Sequence, residues 1–447
     1  MTKTIIITSF HPHISRNILA TDAVRLIARR PDARVVLAVP AYKKDYFTER
    51  FGAPNVFVEG VVPYGASRTR RGLFFKKLGV SLFDSQSARN RKRYDYYLTK
   101  KFFRLTASMA LGVAGRVPWF RRLVRWFDLR LSPRGLFDPV LDRWRPDAVF
   151  STDVQNENDV SLMQDARRRG IPVIAMVRSW DNLTLRILRI FPDRLIVGSS
   201  ELAREAEYFH GYPASRIAIA GNPHYDGYRA GPVHSRAELI ARHGLDPAKK
   251  LILYAPISDA LIRVNDADAY VMGLLGRIDA NILVRFPPEK GVALDGFIKP
   301  PTMAYDRPGQ AFGSEVGDRE IRPEDDESLR DEMTHADVVV TGPTSIALDA
   351  MYFDKPVIAV DFYPTPRGFW ETVWRYTDDH IRKIIATGGV RHVKSPEELA
   401  AALAEYLKDP ARDAAGRVAA RALWFSHAEG HAGERIASEL AACMDLP

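Results

Sequence analysis

The chain has 447 residues, 46% of them hydrophobic and 27% charged, a balance that suits a soluble globular protein of roughly two or three domains. Its one cysteine, Cys443, excludes a disulfide framework and any cysteine-rich zinc site, and fits a reducing compartment. The net charge is +9, but residues 68–134 hold eighteen Lys or Arg against three acidic residues, so the basic character belongs to one segment and the remainder is acidic.

The N-terminal "MTKTIIITSF" has too short an apolar run for a secretory signal and reads as a first strand. No stretch reaches the ~18 apolar residues that span a bilayer, so the protein is expected to stay in the cytoplasm where it is made. Further strand-like runs follow: "ARVVLAVP", then, beyond the basic segment, "DAVFST", "IPVIAMVR", "DRLIVGS" and "RIAIAGNP". Past a Gly- and Pro-rich stretch, "GNPHYDGYRAGPVHS", come "KLILYAP", "NILVRFP", "ADVVVTG" and "KPVIAVDF". These runs are continuous in Val and Ile rather than alternating, as strands buried on both faces are. Helical patterns lie between them. "NDVSLMQDARRRG" closes on Gly170, and "SELAREAEYFHG" takes Ser200 as its N-cap. Repeated βα units predict a doubly wound α/β fold. The expected division is a Rossmann-like domain over 1–225 with a basic aromatic insertion at about 64–135, and a second over 236–425. The terminal helix, 426–447, is expected to pack back on the first domain. Residues 287–324 read as a long loop, and helices run from about Pro396 to Met444.

One turn stands out. "VVVTGPTSIALDAMYFDKPVIAVDF", residues 338–362, is a strand, a sharp turn, a helix and a second strand. Gly342 suits an N-cap and Pro343 the first helical position. Thr344 and Ser345 then bring hydroxyls and backbone N–H groups to a helix end that favours anions. Asp349 lies one turn further on. The same residues would also serve as a plain helix cap. The turn ends a parallel strand, however, and open α/β sheets bind ligands at that edge.

Two doubly wound domains with this strand–turn–helix late in the second resemble the GT-B glycosyltransferases, whose two Rossmann-like domains face a central cleft. "ESLRDEMTHADVVVTGPTSIALDAMYFDKPVIAVDF" is similar to their nucleotide-sugar segment. It is nearest the branch of CDP-glycerol glycerophosphotransferases and UDP-GlcNAc 2-epimerases, as are "GHAGERIASEL" and "RIAIAGNPHYD". The resemblance implies that Gly342, Thr344 and Ser345 hold a donor diphosphate, Asp349 the ribose, and Arg285 a second phosphate contact. Glycerophosphotransferases of this branch carry a His soon after that Arg, where this chain has Phe286 and Pro287, a departure that favours sugar transfer.

The resemblance also places a base in the first domain. "TSFHPHISRN" offers His11 and His13, with His13 preferred because it directly precedes the helix, and "STDVQNEND" offers Asp153. In "VRSWDNLT", Arg178, Trp180, Asp181 and Asn182 are candidates for sugar or acceptor contacts, although Trp-Asp-Asn would equally anchor a loop. A His is suited to proton transfer near neutral pH. The Asp-Ala-Asp of "NDADAY" sits in a helix-like stretch and is not expected to bind metal. Zinc-protease, P-loop and dinucleotide motifs do not occur, so neither metal nor cofactor is expected.

Between residues 68 and 134, Arg and Lys interleave with Phe, Trp, Tyr and Leu. Such segments suit an anionic membrane surface, although a solvated basic face on helices that pack internally, or a protein partner, would also account for them. No nucleic-acid-binding module accompanies them, and no nucleic acid is expected as a partner. The expected activity is a metal-independent glycosyltransferase, peripheral on the inner face of the cell membrane. It would move a sugar from a nucleotide-sugar to a glycan or lipid-linked acceptor in surface polysaccharide or glycolipid assembly. The alternatives are a glycerol-phosphate transferase or a nucleotide-sugar 2-epimerase on the same fold, or a non-catalytic nucleotide-binding or scaffold protein.

Overall fold

The computed structural model describes residues 2–63, 69–288, 291–313, 318–427 and 429–446. The chain divides into two compact units, Met1–Gly227 with Phe425–Pro447, and Tyr228–Trp424. In chain order the first unit has β1 (Lys3–Thr8), α1 (Asp22–Ala28), β2 (Ala33–Pro40), α2 (Lys44–Phe51) and β3 (Val56–Val61). Four helices follow in the basic segment: α3 (Arg70–Ser81), α4 (Gln86–Thr99), α5 (Phe102–Ala114) and α6 (Pro118–Leu131). Residues 64–68, the expected start of that segment, lie outside the described residues. Then come α7 (Asp138–Trp144), β4 (Ala148–Ser151), α8 (Glu157–Arg168), β5 (Val173–Met176), β6 (Arg194–Val197), α9 (Ser200–His210) and β7 (Ile217–Ile219).

The second unit has α10 (Arg236–Arg242), β8 (Leu251–Ala255), α11 (Ala267–Leu275), β9 (Asn281–Arg285), β10 (Met303–Asp306), β11 (Gln310–Ala311), β12 (Arg319–Glu320) and α12 (Pro323–His335). It continues with β13 (Val338–Thr341), α13 (Ile346–Tyr352), β14 (Val357–Val360), α14 (Asp379–Ala386), β15 (Val390–Val393), α15 (Pro396–Lys408) and α16 (Ala414–Trp424). The last helix, α17 (Ala432–Cys443), returns to the first unit. There it packs against α1, and Ile436 and Leu440 join the core of β1 and β2.

The first unit carries a seven-stranded sheet in the order β3-β2-β1-β4-β5-β6-β7, and the second a six-stranded sheet in the order β10-β9-β8-β13-β14-β15. Every described pairing in both is parallel. The central strands are fully buried, as their continuous apolar runs require. In each sheet the strand order reverses once, between β1 and β4 and between β8 and β13. These are topological switch points, where adjacent crossovers leave in opposite directions and open a crevice at the carboxyl ends.

Three strands of the two parallel sheets are absent from the sequence expectation: β3, β10 and β15. All three are sheet edges, only partly buried, so their apolar runs are broken by Glu59, Asp306 and Arg391. The stretch 287–324, expected as loop, contains β10 and the small antiparallel pair β11–β12. The cap of α9 is Ser199, whose hydroxyl accepts the Leu202 N–H, rather than Ser200.

Helix α6 is turned against its own pattern. Its fully buried residues are Arg121 and Asp128, while Trp119, Leu123, Trp126, Phe127 and Leu131 are exposed, Trp119 at 65%. Inward, Phe120 and Val124 rest on a small cluster of Leu82, Phe83, Ala88 and Ile187. The polar inner side is held by Arg189 on Asp128, by Arg121 on the Phe209 carbonyl, and by Arg125, stacked 3.9 Å over Phe191. Among the described residues no helix is long and apolar enough to cross a membrane.

Candidate functional site

The first switch point gathers several of the expected residues. After β1 the chain passes His11 and His13 and enters a short π-helix, Ser15–Leu19, a rare form that concentrates at functional sites. The two imidazoles meet edge to face with centroids 5.0 Å apart, and the His13 N–H donates to His11 Nδ1 at 3.3 Å. After β4 comes Asp153, buried, whose carboxylate accepts Arg178 Nε at 2.7 Å and the Gln155 N–H at 3.0 Å. Burial alone would raise the Asp153 pKa. The charges of Arg178 and then His11 outweigh it and hold the carboxyl below its ordinary value. The structure thus brings His11, Asp153 and Arg178 together, with the His13 ring against that of His11.

Asp159, in the first turn of α8, completes this cluster and was not singled out from the sequence, where it looks like an ordinary first-turn acid. One of its oxygens accepts the Thr8 hydroxyl, the Ser151 hydroxyl at 3.1 Å and the Asp153 N–H at 3.3 Å. The other has no hydrogen-bond partner among the described residues. Burial, and then the neighbouring Asp153 charge, push its pKa up to about 7.

Of the two expectations for "WDN", the described contacts fit the loop anchor. Trp180 is buried, with little ring surface for a sugar. Asn182 is also buried and anchors its loop: its side-chain oxygen accepts the Ser179 N–H at 2.7 Å, and its carbonyl accepts Gln155 Nε2 at 2.6 Å. Asp181 is half-buried, and its carbonyl accepts the Thr184 hydroxyl at 3.0 Å.

The second switch point holds the Thr-Gly-Pro-Thr-Ser turn. Gly342 is required by close approach, since a Cβ there would lie 2.6 Å from Ile257 Cγ1, just past the end of β8. The backing loop is itself fixed by Asp268. That buried carboxylate accepts the Tyr254 hydroxyl at 2.6 Å, the Ile257 and Ser258 N–H groups at 2.8 and 3.0 Å, and Asn265 Nδ2 at 2.7 Å. Asp-Ala-Asp is therefore a structural brace for the turn. Among the described residues no three His, Cys, Asp or Glu gather to hold a metal ion.

The helix starts later than its caps predicted. Gly342 and Pro343 precede it, Ser345 is its N-cap without a side-chain cap bond, and α13 begins at Ile346. The delay has a local cause: the Thr344 N–H turns back to the Gly342 carbonyl at 2.9 Å, and the Thr344 hydroxyl lies 2.9 Å from that of Thr341. Ser345 is exposed and Thr344 half-buried. In the first turn of α13 the Ala347 N–H turns back to the Thr344 carbonyl at 3.3 Å and the Leu348 N–H to the Ser345 carbonyl at 2.9 Å, which leaves the Ser345 and Ile346 amides at the helix tip.

Asp349 is 7% exposed and accepts the Tyr228 hydroxyl at 2.9 Å, under a ring cluster of Tyr228, Tyr352 and Phe353. It is not the open carboxylate that the spacing suggested. Arg285 is likewise drawn inward. Its guanidinium meets Asp306 at 2.6 Å and Glu332 at 3.0 Å, and donates to the Asp325 carbonyl at 2.7 Å. Burial would lower its pKa, but Glu332 and then Asp306 raise it, so the charge is retained and internally matched.

Comparison with known proteins agrees with this architecture. Residues 298–441 match the family model described as CDP-Glycerol:Poly(glycerophosphate) glycerophosphotransferase. By sequence, no curated protein matches the chain. Among solved structures, a UDP-N-acetylglucosamine 2-epimerase superposes with TM-score 0.54 at 14% identity, covering 99% of this chain and 96% of that one. The calicheamicin glycosyltransferase CalG4 gives 0.51 at 12% identity, covering 99% and 98%. The Neisseria meningitidis UDP-GlcNAc 2-epimerase, bound to UDP-GlcNAc, gives 0.53 at 10% identity, covering 99% and 96%. The chain has the GT-B fold that these glycosyltransferases and epimerases share.

Proposed function

We propose that the chain is a transferase that binds a nucleotide-activated donor at the β8–β13 switch point and passes the activated group to an acceptor hydroxyl. The observation that carries this reading is the turn at Gly342. It is held against Ile257 at the carboxyl edge of a parallel sheet and carries the Thr344 hydroxyl, the exposed Ser345 and the Ser345 and Ile346 amides at the helix tip, within the segment matched by the glycerophosphotransferase family. Such donors suit a diphosphate and offset the charge of a departing nucleotide. Asp349 would act through Tyr228 as a support of the turn. At the β1–β4 switch point, His11, near Asp153 and in its neutral form, is the group we assign to proton removal from the acceptor. No metal is assigned a role, so activity should survive EDTA.

The transferred group is read first as a sugar. The GT-B neighbours include a glycosyltransferase and an epimerase bound to UDP-GlcNAc, and Arg285, with Phe286 after it, is occupied by internal ion pairs. A glycerol-phosphate group is the second reading, supported by the family match over 298–441. The exposed outer side of α6, apolar and flanked by Arg122 and Arg130, supports peripheral docking on the inner, anionic face of the cell membrane. A lipid-linked or glycan acceptor would be met there.

The test is a thermal-shift screen with UDP-, GDP-, CDP- and dTDP-linked ligands, followed by turnover with UDP-GlcNAc and with CDP-glycerol. A ligand that binds the native state raises the melting temperature. Ser345→Ala should weaken the best donor about tenfold. If no nucleotide shifts the melting temperature, the donor reading fails. Conversion of UDP-GlcNAc without acceptor would replace transfer by epimerisation.

A further inference from the structure

Residues 361–378 join β14 to α14, one strand over from the turn at Gly342, and with α14 and the end of β15 they line an open cavity of about 1170 Å³, ample for a small ligand. Its walls are braced before any ligand arrives. Tyr376 donates its hydroxyl to the Val360 carbonyl at 2.6 Å and stacks on His392 with centroids 4.4 Å apart. His392 Nε2 lies 3.1 Å from Asp361. The Tyr363 hydroxyl donates to Asp361 at 3.3 Å and accepts the Val373 N–H at 2.6 Å. The loop is tied down by Arg367, whose Nη2 reaches both oxygens of Asp266 at 2.7 and 2.6 Å.

These bonds brace the polar wall, and two kinds of lining remain exposed. One is aromatic: Phe369, half exposed, lines the cavity and meets Trp370 edge to face at 4.7 Å. The other is cationic: Arg382 on α14 and Lys394 after β15 line the cavity, are exposed, and make no ion pair among the described residues. Of the lining carboxylates, Asp361 is taken by His392 and Tyr363, and Asp379 is half-buried at the start of α14. A purely apolar ligand would leave the cations unanswered, and a bare anion would leave the rings unused. A phosphate ester carried on a ring uses both, through charge-assisted bonds to Arg382 and Lys394 and stacking on Phe369.

We propose that this cavity is a binding site for a ring-borne phosphate, the chemistry common to nucleoside phosphates and sugar phosphates. No residue of the turn at Gly342 lines it, and the proposal does not depend on the donor reading.

Isothermal titration of the full chain with UMP, CMP, glucose 1-phosphate and inorganic phosphate tests it. At least one ring phosphate should bind more tightly than inorganic phosphate, and which one does so identifies the source. The double substitution Arg382→Glu, Lys394→Glu should weaken that binding about tenfold or more. Phe369→Ala should weaken the ring phosphate but not inorganic phosphate. Ser345→Ala should leave this binding as it was, so a failed donor site and a failed cavity site give different patterns. The proposal is overturned if the wild-type chain binds no ring phosphate at millimolar concentration, if inorganic phosphate binds equally well, or if binding is lost in Ser345→Ala while both cavity variants keep it.

Discussion

The carboxylate of Asp128 accepts both Nε and Nη2 of Arg189, at 2.8 and 2.9 Å, and both side chains are buried. The Ser132 hydroxyl and, at 3.0 Å, Gln164 Nε2 donate to the same carboxylate, and Glu157 meets the other side of the guanidinium. This network sets the rotation of α6 and thereby which of its faces meets solvent. Asp128→Ala would leave Arg189 buried with one carboxylate fewer, and removing one partner of a buried pair costs about 3–5 kcal/mol. Urea unfolding should show that loss. A loss below about 1 kcal/mol, the worth of an exposed pair, would mean that the network does not set the helix.

The outer face of α6 should bind anionic vesicles. Trp119 and Trp126 are exposed, so Trp119→Ser with Trp126→Ser should leave the melting temperature nearly unchanged, surface changes being worth about 0.5 kcal/mol or less. Co-sedimentation with vesicles containing phosphatidylserine should fall several-fold, and binding by the unaltered chain should weaken with salt. Undiminished sedimentation of the variant would rule this face out as the lipid contact.

Gly342 should tolerate no side chain. A Cβ at 2.6 Å from Ile257 Cγ1 forces that side chain or the turn to move, and overpacking of this kind costs about 1–3 kcal/mol. Gly342→Ala should therefore lower both stability and donor affinity. Adding Ile257→Ala, which removes Cγ1, should restore part of the stability. Absence of any restoration would place the damage in the backbone rather than in the contact.

Asp159 should make stability depend on pH in an unusual direction. In the unfolded chain its carboxyl ionises near 3.8, and in the folded chain near about 7. Between these values the folded state holds a proton that the unfolded state has lost. Its contribution therefore falls as pH rises from about 4 to about 7 and is level above that. Asp159→Asn removes the titration. Relative to the wild type, the variant should gain stability between about pH 5 and about pH 8, on the order of a few kcal/mol. Parallel pH profiles for the two proteins would contradict the raised pKa.

The chemistry of the two candidate clusters was only partly legible in the sequence. His11, Asp153 and Arg178 stand near strand ends that continuous apolar runs reveal, so their meeting at one switch point follows once the strand order is known. Asp159 carries no local mark, because its neighbours Thr8 and Ser151 come from the ends of two separate strands. Arg285 and Asp349 sit at positions that suggest open ligand contacts. What occupies them is Asp306 and Glu332 in one case and Tyr228 in the other, and no spacing rule announces partners so far away in the chain.

The sequence by itself determined the parallel α/β architecture, because a strand covered on both faces must be apolar throughout, and that demand is written residue by residue in β1, β2, β8, β13 and β14. It was silent on the edge strands β3, β10 and β15, whose half-solvated surroundings tolerate charge. Only the tertiary structure decided which side of α6 faces out, where the helix after Gly342 begins, and which carboxylates are spent inside. Each of these depends on a polar partner or a steric neighbour brought in from a distant segment. Apolar burial acts on every residue of a strand at once, whereas a single hydrogen bond or close contact is settled only when both of its ends are in place.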